Sequence, residues 1–297
     1  KGVMDHMYVY VNGKIVPREE AQLSAFDHGF LYGLGLFETF RTYDGHPFLL
    51  DDHLARLNCG LSELHIARQF GRAEAVDIIE RLLRANELRD AYVRFNVSAG
   101  VGDLGLSTEQ YLRPTIIVYM KPLPPAAPQE GKEGVILTTT RNSPEGDQRL
   151  KSHHYLNNMI GKWELGNRPH AEGIFLNREG AVAEGIVSNI FWIKGGVVYT
   201  PAPSVGILNG ITRQFVIALL NELHIPIEEG VYPLSDLYEA DEVFITNSLQ
   251  EIVPLHRIGH RVYLGQNGPV TCALQRHYRR FTDTLWTRNE LSERMNR

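Results

Sequence analysis

The sequence predicts an α/β or α+β fold with two domains, and three observations lead to this prediction. The chain has 297 residues, enough for two domains at about 150 residues each. Segments that alternate apolar and polar residues like strands are interleaved with segments whose apolar residues have helical spacing. A proline-rich stretch over residues 121–128 interrupts both patterns, because proline removes backbone donors and stiffens the chain.

Two hairpins are predicted in the first half of the chain. Asn12-Gly13 and Asp44-Gly45 each lie between apolar alternations, which is the strongest short-range signal for a hairpin turn. We therefore expect one hairpin over residues 8–16 and a second over residues 37–50.

Helices and further strands follow the second hairpin. Asp51 or Asp52 is expected to cap a helix with an apolar stripe of leucines at positions 54, 57, 61 and 64. The other predicted helices cover residues 74–85, 155–165, 212–223 and 271–286. The other predicted strands cover residues 91–98, 115–120, 135–140, 173–177, 188–193, 197–199 and 243–245.

These elements suggest domain boundaries. We expect a smaller N-terminal α+β domain over residues 1–120, a proline-rich linker over residues 121–132 and a larger C-terminal α/β domain over residues 133–297. Residues 1–6 lack the apolar core of a signal peptide and are interpreted as a frayed start or an expression remnant.

Composition excludes several classes of function. Thirty Lys and Arg against 35 Asp and Glu give a net charge of −5, which argues against nucleic acid or an anionic membrane as a partner. No apolar run is long enough to span a bilayer. The two cysteines, Cys59 and Cys272, form no CxxC pattern, so we expect neither a disulfide framework nor a metal site, and a cytoplasmic location.

Among the seven lysines, Lys151 has the most unusual setting. It lies in Arg149-Leu-Lys-Ser-His-His-Tyr155, between a strand-and-loop stretch and a predicted helix. From composition alone, a solvated surface lysine is the more common interpretation. A functional role for this lysine needs partners elsewhere in the chain.

Four segments offer such partners. Glu184 lies next to a strongly apolar strand, where a carboxylate needs a cationic or hydrogen-bonding neighbour. Residues 208–213 form a glycine-containing turn before a helix, and its free amides suit an anion, although an ordinary capped helix is more common. Ser248 follows an apolar strand, and Arg56 lies beside the leucine stripe. Together they supply what a phosphorylated aldehyde cofactor requires: an amine, an acid and phosphate donors.

The same segments resemble a known family. Glu184-x-Ile-x-x-Asn189-Ile-Phe, Val198-x-Thr200 and Leu208-x-Gly210-Ile-x-Arg213 are similar to the signature of the class-IV aminotransferases, the fold type IV pyridoxal-phosphate enzymes. The resemblance extends from about residue 8 to the C-terminal helix. It implies a two-domain fold with the cofactor cleft between the domains, pyridoxal 5'-phosphate as the cofactor, and a homodimer.

The resemblance also implies roles for individual residues. Lys151 would be the Schiff-base lysine, and Glu184 would be the partner of the pyridine nitrogen. The phosphate would be held by Arg56, the amides of Ile211 and Thr212, and Ser248.

Within this family, the chain is most similar to the bacterial aminodeoxychorismate lyases. The stretches that carry this similarity are Ser24–Gly33, Asn142–Gly146 and Arg149–Asn158. Aminotransferase relatives often have an arginine after the serine that corresponds to Ser98, whereas this chain has Ser98-Ala99-Gly100. The resemblance therefore favours a lyase that converts 4-amino-4-deoxychorismate to 4-aminobenzoate and pyruvate.

A substrate with two carboxylates should meet a cation. Tyr92 and Arg94 share the polar face of a predicted strand, and Arg94 is our candidate carboxylate contact; a salt bridge on an exposed sheet face is an equally common role. Two alternatives stay open: a D-amino-acid or branched-chain aminotransferase of the same fold, and a non-catalytic relative that serves as a binding module. A binding module would have no use for the lysine amine.

Overall fold

The computed structural model describes residues 7–124 and 131–295, which fall into two units. The first unit contains the described residues up to 124 together with Lys151–His154 and Thr282–Thr287. The second contains residues 131–150, Tyr155–Phe281 and 288–295. The interpretation of residues 1–6 and the middle of the proline-rich linker, residues 125–130, lie outside the described residues.

An antiparallel sheet of six strands forms the first unit, in the order β2-β1-β6-β5-β3-β4. Both predicted hairpins are present, β1 with β2 and β3 with β4, each turning at its Asx-Gly pair. The strand bounds are β1 Tyr8–Val11, β2 Lys14–Pro17, β3 Gly35–Tyr43, β4 His46–Pro47, β5 Ala91–Ser98 and β6 Thr115–Pro122.

Alternation along β5 explains how this sheet packs. Val93, Phe95 and Val97 are fully buried, and burying side chains of this kind contributes about 1.5–3 kcal/mol each. Arg94 and Asn96 alternate with them and are only partly buried. The polar face of β5 is therefore available to hold functional side chains.

Three helices accompany this sheet: α1 (His28–Tyr32), α2 (Leu50–Glu63) and α3 (Arg72–Ala85). The expectation that Asp51 or Asp52 caps α2 is wrong. The N-cap is Leu49, in the left-handed region at φ 57°, and it makes no side-chain capping bond. Leu49 is buried, and its amide donates to the Leu285 carbonyl (3.1 Å), so tertiary contacts fix the start of α2.

A mixed sheet of nine strands forms the second unit, in the order β12-β11-β10-β13-β14-β7-β8-β9, with β15 paired to β14. The pairs β11–β12, β14–β7 and β7–β8 are parallel. The strand bounds are β7 Lys132–Ile136, β8 Ala171–Leu176, β9 Val182–Gly185, β10 Asn189–Lys194, β11 Val197–Pro201, β12 Ile227–Gly230, β13 Glu242–Asn247, β14 Glu251–Ile258 and β15 Arg261–Val262.

The helices of the second unit are α4 Leu156–Leu165, α5 Ile211–Glu222, α6 Leu234–Tyr238, α7 Pro269–Arg279 and α8 Leu291–Met295. Short 3-10 turns cover Arg18–Glu20, Pro203–Val205, Gly265–Asn267 and Arg288–Glu290. The predicted helix over residues 271–286 ends early, at Arg279, because the chain then leaves the second unit and residues 282–287 join the first.

Across residues 7–124 and 131–295, every helix is too short or too polar to cross a membrane.

Candidate active site

Lys151 is held against β3 by backbone hydrogen bonds. The Phe37 amide donates to the Lys151 carbonyl (3.0 Å), and the His153 amide donates to the Gly35 carbonyl (2.9 Å). Residues 151–154 therefore belong to the first unit, whereas Lys151 was predicted in the C-terminal domain. The Lys151 side chain is partly buried, and its Nζ lies 4.6 Å from the centroid of the Phe37 ring. The lysine backbone is therefore held by β3, and its amine lies against an aromatic ring.

Arg94 shares the Phe37 ring with Lys151. The Arg94 Cζ lies 3.7 Å from the centroid of that ring, and the Arg94 Nε donates to the Asn96 Oδ1 (3.4 Å). Tyr92 lies two positions before Arg94 on β5, and the Lys121 Nζ is 4.8 Å from the centroid of its ring. The structure thus brings Arg94, rather than Tyr92, to the aromatic ring beside the lysine.

His153 lies next to this group and is neutral at neutral pH. Burial, and then the charge of Arg94, lowers the pKa of His153 to about 4. Its Nε2 is 3.2 Å from the Asn96 Oδ1. Gly35 makes room for the ring, because a Cβ at this position would come within 2.2 Å of the His153 Cε1. A neutral imidazole can hydrogen-bond there without adding a third cation beside Lys151 and Arg94.

Arg56, on α2, is held by a buried carboxylate from β3. The Arg56 Nε and Nη2 donate to the two oxygens of Glu38 (2.8 and 2.7 Å), and the His53 Nδ1 is 2.6 Å from the Glu38 Oε2. Burial alone would raise the pKa of Glu38, but the guanidinium and the His53 bond lower it to about 2. Burial lowers the pKa of His53, so His53 is a neutral donor to an ionised carboxylate.

Glu184 belongs to β9 and is 4 % exposed. The Arg141 Nε donates to its Oε1 (2.8 Å), while the Asn189 Nδ2 (3.3 Å) and the Leu208 amide (3.0 Å) donate to its Oε2. The buried Glu184 carboxylate therefore has one guanidinium and two amide groups as hydrogen-bond donors.

A second arginine stands near this carboxylate. Arg149 Nε lies 3.8 Å from the Glu184 Oε1 and donates to the Gly206 carbonyl (2.6 Å). Burial, and then repulsion from Arg141, lowers the pKa of Arg149 to about 10, so Arg149 stays charged at neutral pH. Two positive charges therefore surround one buried negative charge.

The start of α5 is suited to an anion. Its N-cap is Gly210, which has no side chain and makes no side-chain capping bond. The amides of Ile211 and Thr212, in the first turn of α5, are therefore not capped by the N-cap residue. The Thr212 Oγ1 is hydrogen-bonded to the Ser248 Oγ (3.2 Å). A Cβ on Gly210 would come within 2.2 Å of the Asn189 Oδ1, so the close approach requires glycine.

Each unit, taken by itself, carries side chains of the types that suit one part of a phosphorylated pyridine aldehyde. In the first unit, an amine stands on an aromatic ring and an arginine is held by a carboxylate. In the second unit, a buried carboxylate is bonded to a guanidinium, and the Thr212 hydroxyl at the start of α5 is bonded to the Ser248 hydroxyl. By contrast, no group of His, Cys, Asp and Glu side chains with the arrangement of a metal site occurs in residues 7–124 and 131–295.

Comparison with known proteins then decides the family. Residues 35–258 match the model described as amino-transferase class IV. The chain belongs to the class IV aminotransferase family. Among class IV members, it is 47% identical to "Aminodeoxychorismate lyase" of Bacillus subtilis, over 92% of this chain and 94% of that protein. It is 32% identical to "D-alanine aminotransferase" of Listeria monocytogenes, over 92% of this chain and 95% of that protein.

Solved structures of class IV enzymes share the fold. The branched-chain amino acid aminotransferase of Escherichia coli matches with a TM-score of 0.85 and 29% identity, over 94% of this chain and 96% of that one. A branched-chain aminotransferase from Thermobaculum terrenum, in its PLP-form, matches with a TM-score of 0.83 and 28% identity, over 96% and 97%. The predicted family and the predicted mixed α/β fold of type IV are both confirmed.

Sequence reasoning missed four residues of this region: Phe37, Glu38, His53 and Arg141. Glu38 had a readable signal, since it directly follows the apolar pair Leu36-Phe37 in a predicted hairpin, and a buried carboxylate needs a partner. His53 and Arg56 are three residues apart on a helix and so share a face. Nothing local marked Arg141, whose partner Glu184 lies 43 residues away.

Proposed function

We propose that this protein is a pyridoxal-phosphate enzyme that converts 4-amino-4-deoxychorismate to 4-aminobenzoate and pyruvate. The observation that carries the proposal is the 47% identity to a protein named aminodeoxychorismate lyase over nearly the full length of both chains. The two products together contain all the atoms of the substrate, so the reaction needs no second substrate.

The residues that would hold the cofactor are those whose amine, carboxylate, amide, hydroxyl or guanidinium groups match its parts. Bound pyridoxal phosphate supplies an aldehyde that bonds amines and a ring that withdraws electrons from the carbon attached to the amine nitrogen. We assign Lys151 to the aldehyde and Glu184 to the ring nitrogen. We assign the phosphate to Arg56, the amides of Ile211 and Thr212, and the Ser248 hydroxyl.

Lys151 would also move the proton. Its ε-amine would accept the proton from the substrate carbon that bears the amino group. The bonds to β3 and the Phe37 ring keep the Lys151 amine near one position, which is what proton transfer requires. The same ammonium group would return this proton to the enolpyruvate that leaves from the neighbouring carbon, so that pyruvate and the aromatic ring are formed with no net gain or loss of protons.

Arg94 is the proposed contact for a substrate carboxylate, with Tyr92 further along the same face of β5. Arg94 lies on the same ring as Lys151, so a carboxylate bound there would be close to the lysine amine. Neutral His153 and Asn96 border the Arg94 guanidinium and can donate to or orient a second polar group of the substrate.

The experiment is a direct assay of both products. Purified enzyme supplied with pyridoxal phosphate and aminodeoxychorismate should release pyruvate and 4-aminobenzoate in equal amounts, without 2-oxoglutarate. Lys151→Ala should lower kcat by at least about 100-fold, because general base catalysis contributes about 10²–10⁴. Lys162→Ala removes an exposed lysine from α4 and serves as the matched control. Full activity of Lys151→Ala would reject the assignment.

An aminotransferase reaction is the second candidate. It is favoured by the 32% identity to a D-alanine aminotransferase and by the two branched-chain aminotransferase structures. Consumption of 2-oxoglutarate with D-alanine or leucine, at a rate above that of pyruvate release from aminodeoxychorismate, would replace the lyase proposal.

We also propose that the enzyme is a homodimer. Four apolar side chains of α4 are exposed at positions i, i+3, i+4 and i+7: Leu156, Met159, Ile160 and Trp163. A continuous apolar helix face of this kind is typical of a protein interface. Light scattering should give twice the chain mass of 33.6 kDa, and Trp163→Glu should shift the mass toward the monomer.

We propose the cytoplasm as the site of this activity. Cys59 and Cys272 are both in the reduced thiol form, and Cys59 is exposed, which suits a reducing compartment.

A further inference from the structure

The interaction of Arg56 with Glu38 and His53 contains more than an ion pair. Glu38 comes from β3, whereas His53 and Arg56 project from the same face of α2. The Glu38 side chain is 2% exposed, the His53 side chain 2%, and the Arg56 side chain 19%. The Glu38 carboxylate and the His53 imidazole are thus buried, whereas the Arg56 side chain is partly exposed to solvent.

The geometry fixes the plane of the guanidinium. Arg56 donates through Nε and Nη2 to the two oxygens of one carboxylate, and this fork sets both its position and its orientation. His53 holds Glu38 from a third direction through its Nδ1. Rotation of Arg56 would therefore break at least these two hydrogen bonds, and rotation of Glu38 would break at least these three.

A contribution to the stability of the folded protein is a poor explanation for this buried group of Glu38, His53 and Arg56. Burying charged groups carries a large desolvation penalty, and well-packed apolar side chains are often at least as stable. Simple attraction of an anion is also a poor explanation, because Glu38 carries one negative charge and neutral His53 adds none. Together with Arg56, the three side chains have a net charge of zero. The arrangement therefore orients the Arg56 guanidinium but weakens its attraction for an anion.

We propose that Glu38 and His53 are positioning residues that hold the Arg56 guanidinium in the orientation that binds the cofactor phosphate. This inference rests on the proposed function, since it takes Arg56 as a phosphate contact. It assigns no contact with the cofactor to Glu38 or His53 themselves.

The inference can be tested by comparing two ligands that differ only in the phosphate. The full chain, freed of cofactor, is titrated with pyridoxal phosphate and with pyridoxal. The dissociation constant for pyridoxal divided by that for pyridoxal phosphate measures the contribution of the phosphate. Glu38→Gln and His53→Leu should each lower this ratio about 10-fold or more, the size expected for hydrogen bonds to charged groups. His53→Asn retains a side-chain amide donor and should restore most of the ratio.

A control variant separates positioning from general loss of stability. Glu242 is a buried carboxylate of β13 that accepts hydrogen bonds from the Val270 and Thr271 amides at the start of α7. Glu242→Gln should lower the melting temperature and leave the ratio of dissociation constants unchanged. If Glu38→Gln is too unstable to titrate, Glu38→Asp keeps the charge, shortens the side chain, and should lower the ratio as well.

The outcomes distinguish this inference from the proposed function. If Arg56→Ala leaves the ratio unchanged, Arg56 does not bind the phosphate and the proposed assignment fails. If Arg56→Ala lowers the ratio while Glu38→Gln and His53→Leu stay within about twofold of the wild type, the assignment stands and positioning is overturned. Tighter phosphate binding by Glu38→Gln would also overturn it, because charge alone would then dominate.

Discussion

At the scale of single residues, the functional groups of this chain are held by partners of matched charge or polarity. Lys151 is anchored through its backbone to β3 and through its amine to the Phe37 ring. Glu184 is enclosed by Arg141 and by amide donors. Each of these groups is therefore sensitive to the removal of one neighbour.

Loss of Arg141 should destabilise the protein strongly. Arg141→Met leaves the buried Glu184 without its closest guanidinium, and breaking a buried pair in this way costs about 3–5 kcal/mol. The free energy of unfolding from urea titrations would show the loss. The double variant with Glu184→Gln should recover most of it, because the carboxylate charge that lost its closest guanidinium is then gone. Equal stability of the single and double variants would show that the two side chains are not coupled.

His153 should contribute to the loss of stability in acid. Its pKa in the folded chain is lowered to about 4, against 6.5 for an unperturbed histidine, so the folded state binds fewer protons between these values. Its contribution is therefore complete above about pH 6.5 and is lost as the pH falls toward 4. His153→Gln should make the slope of unfolding free energy against pH shallower in this window, by up to about 1.4 kcal/mol per pH unit. Identical slopes would contradict the neutral imidazole.

At the scale of elements, backbone geometry at helix ends decides which residues are tolerated. The start of α5 needs glycine because Asn189 lies against it, and the start of α2 needs the left-handed Leu49. The end of α3 has Glu87 at φ 55°, a conformation in which side chains other than glycine are strained.

Gly210→Ala should disturb the start of α5. The new Cβ would collide with the Asn189 Oδ1, so we expect a destabilisation of about 1–3 kcal/mol and weaker binding of pyridoxal phosphate. Gly146→Ala is the matched control, since a Cβ there meets no atom within 4 Å. Thermal unfolding and cofactor titration would measure both effects, and equal behaviour of the two variants would show that Asn189 moves aside.

Glu87→Gly should stabilise the protein. Glu87 is exposed and follows the C-cap of α3, and glycine would relieve its positive φ, a gain of about 0.5–1 kcal/mol. Glu80→Gly, at an exposed position inside α3, should cost a similar amount and is the control. A loss of stability with Glu87→Gly, as seen by melting temperature, would exclude strain at this position.

At the scale of the whole molecule, the first unit is not built from one continuous stretch of the chain. The first unit includes two short segments from the second half of the sequence, Lys151–His154 and Thr282–Thr287. The second of these fixes α2, since Leu285 is fully buried and its carbonyl accepts from the Leu49 amide. The stability of the first unit therefore depends on residues near the C-terminus.

Leu285→Ala should loosen α2 although the two lie more than two hundred residues apart. Removing a fully buried leucine costs about 2–5 kcal/mol, and amide hydrogen exchange should accelerate in Leu50–Glu63. Leu264→Ala, at a position that is 50% exposed, should leave this exchange unchanged. Unaltered protection of α2 in Leu285→Ala would contradict the coupling.

By itself, the sequence determined the fold class, the family, both hairpins and the type of most helices and strands, because these depend on periodicity and on residues that are close along the chain. It also identified Lys151, Glu184, Arg56, Thr212 and Ser248 as candidates for one cofactor, through their chemical types and the motif spacing.

Only the tertiary structure decided what surrounds those candidates. The partners of Glu38 are 15 and 18 residues away, and the guanidinium on Glu184 comes from 43 residues away. Pairings of this kind leave no periodic trace in the sequence. The same reason explains why Lys151 joined the first unit and why the last predicted helix ended at Arg279: tertiary hydrogen bonds outweighed local pattern at both places.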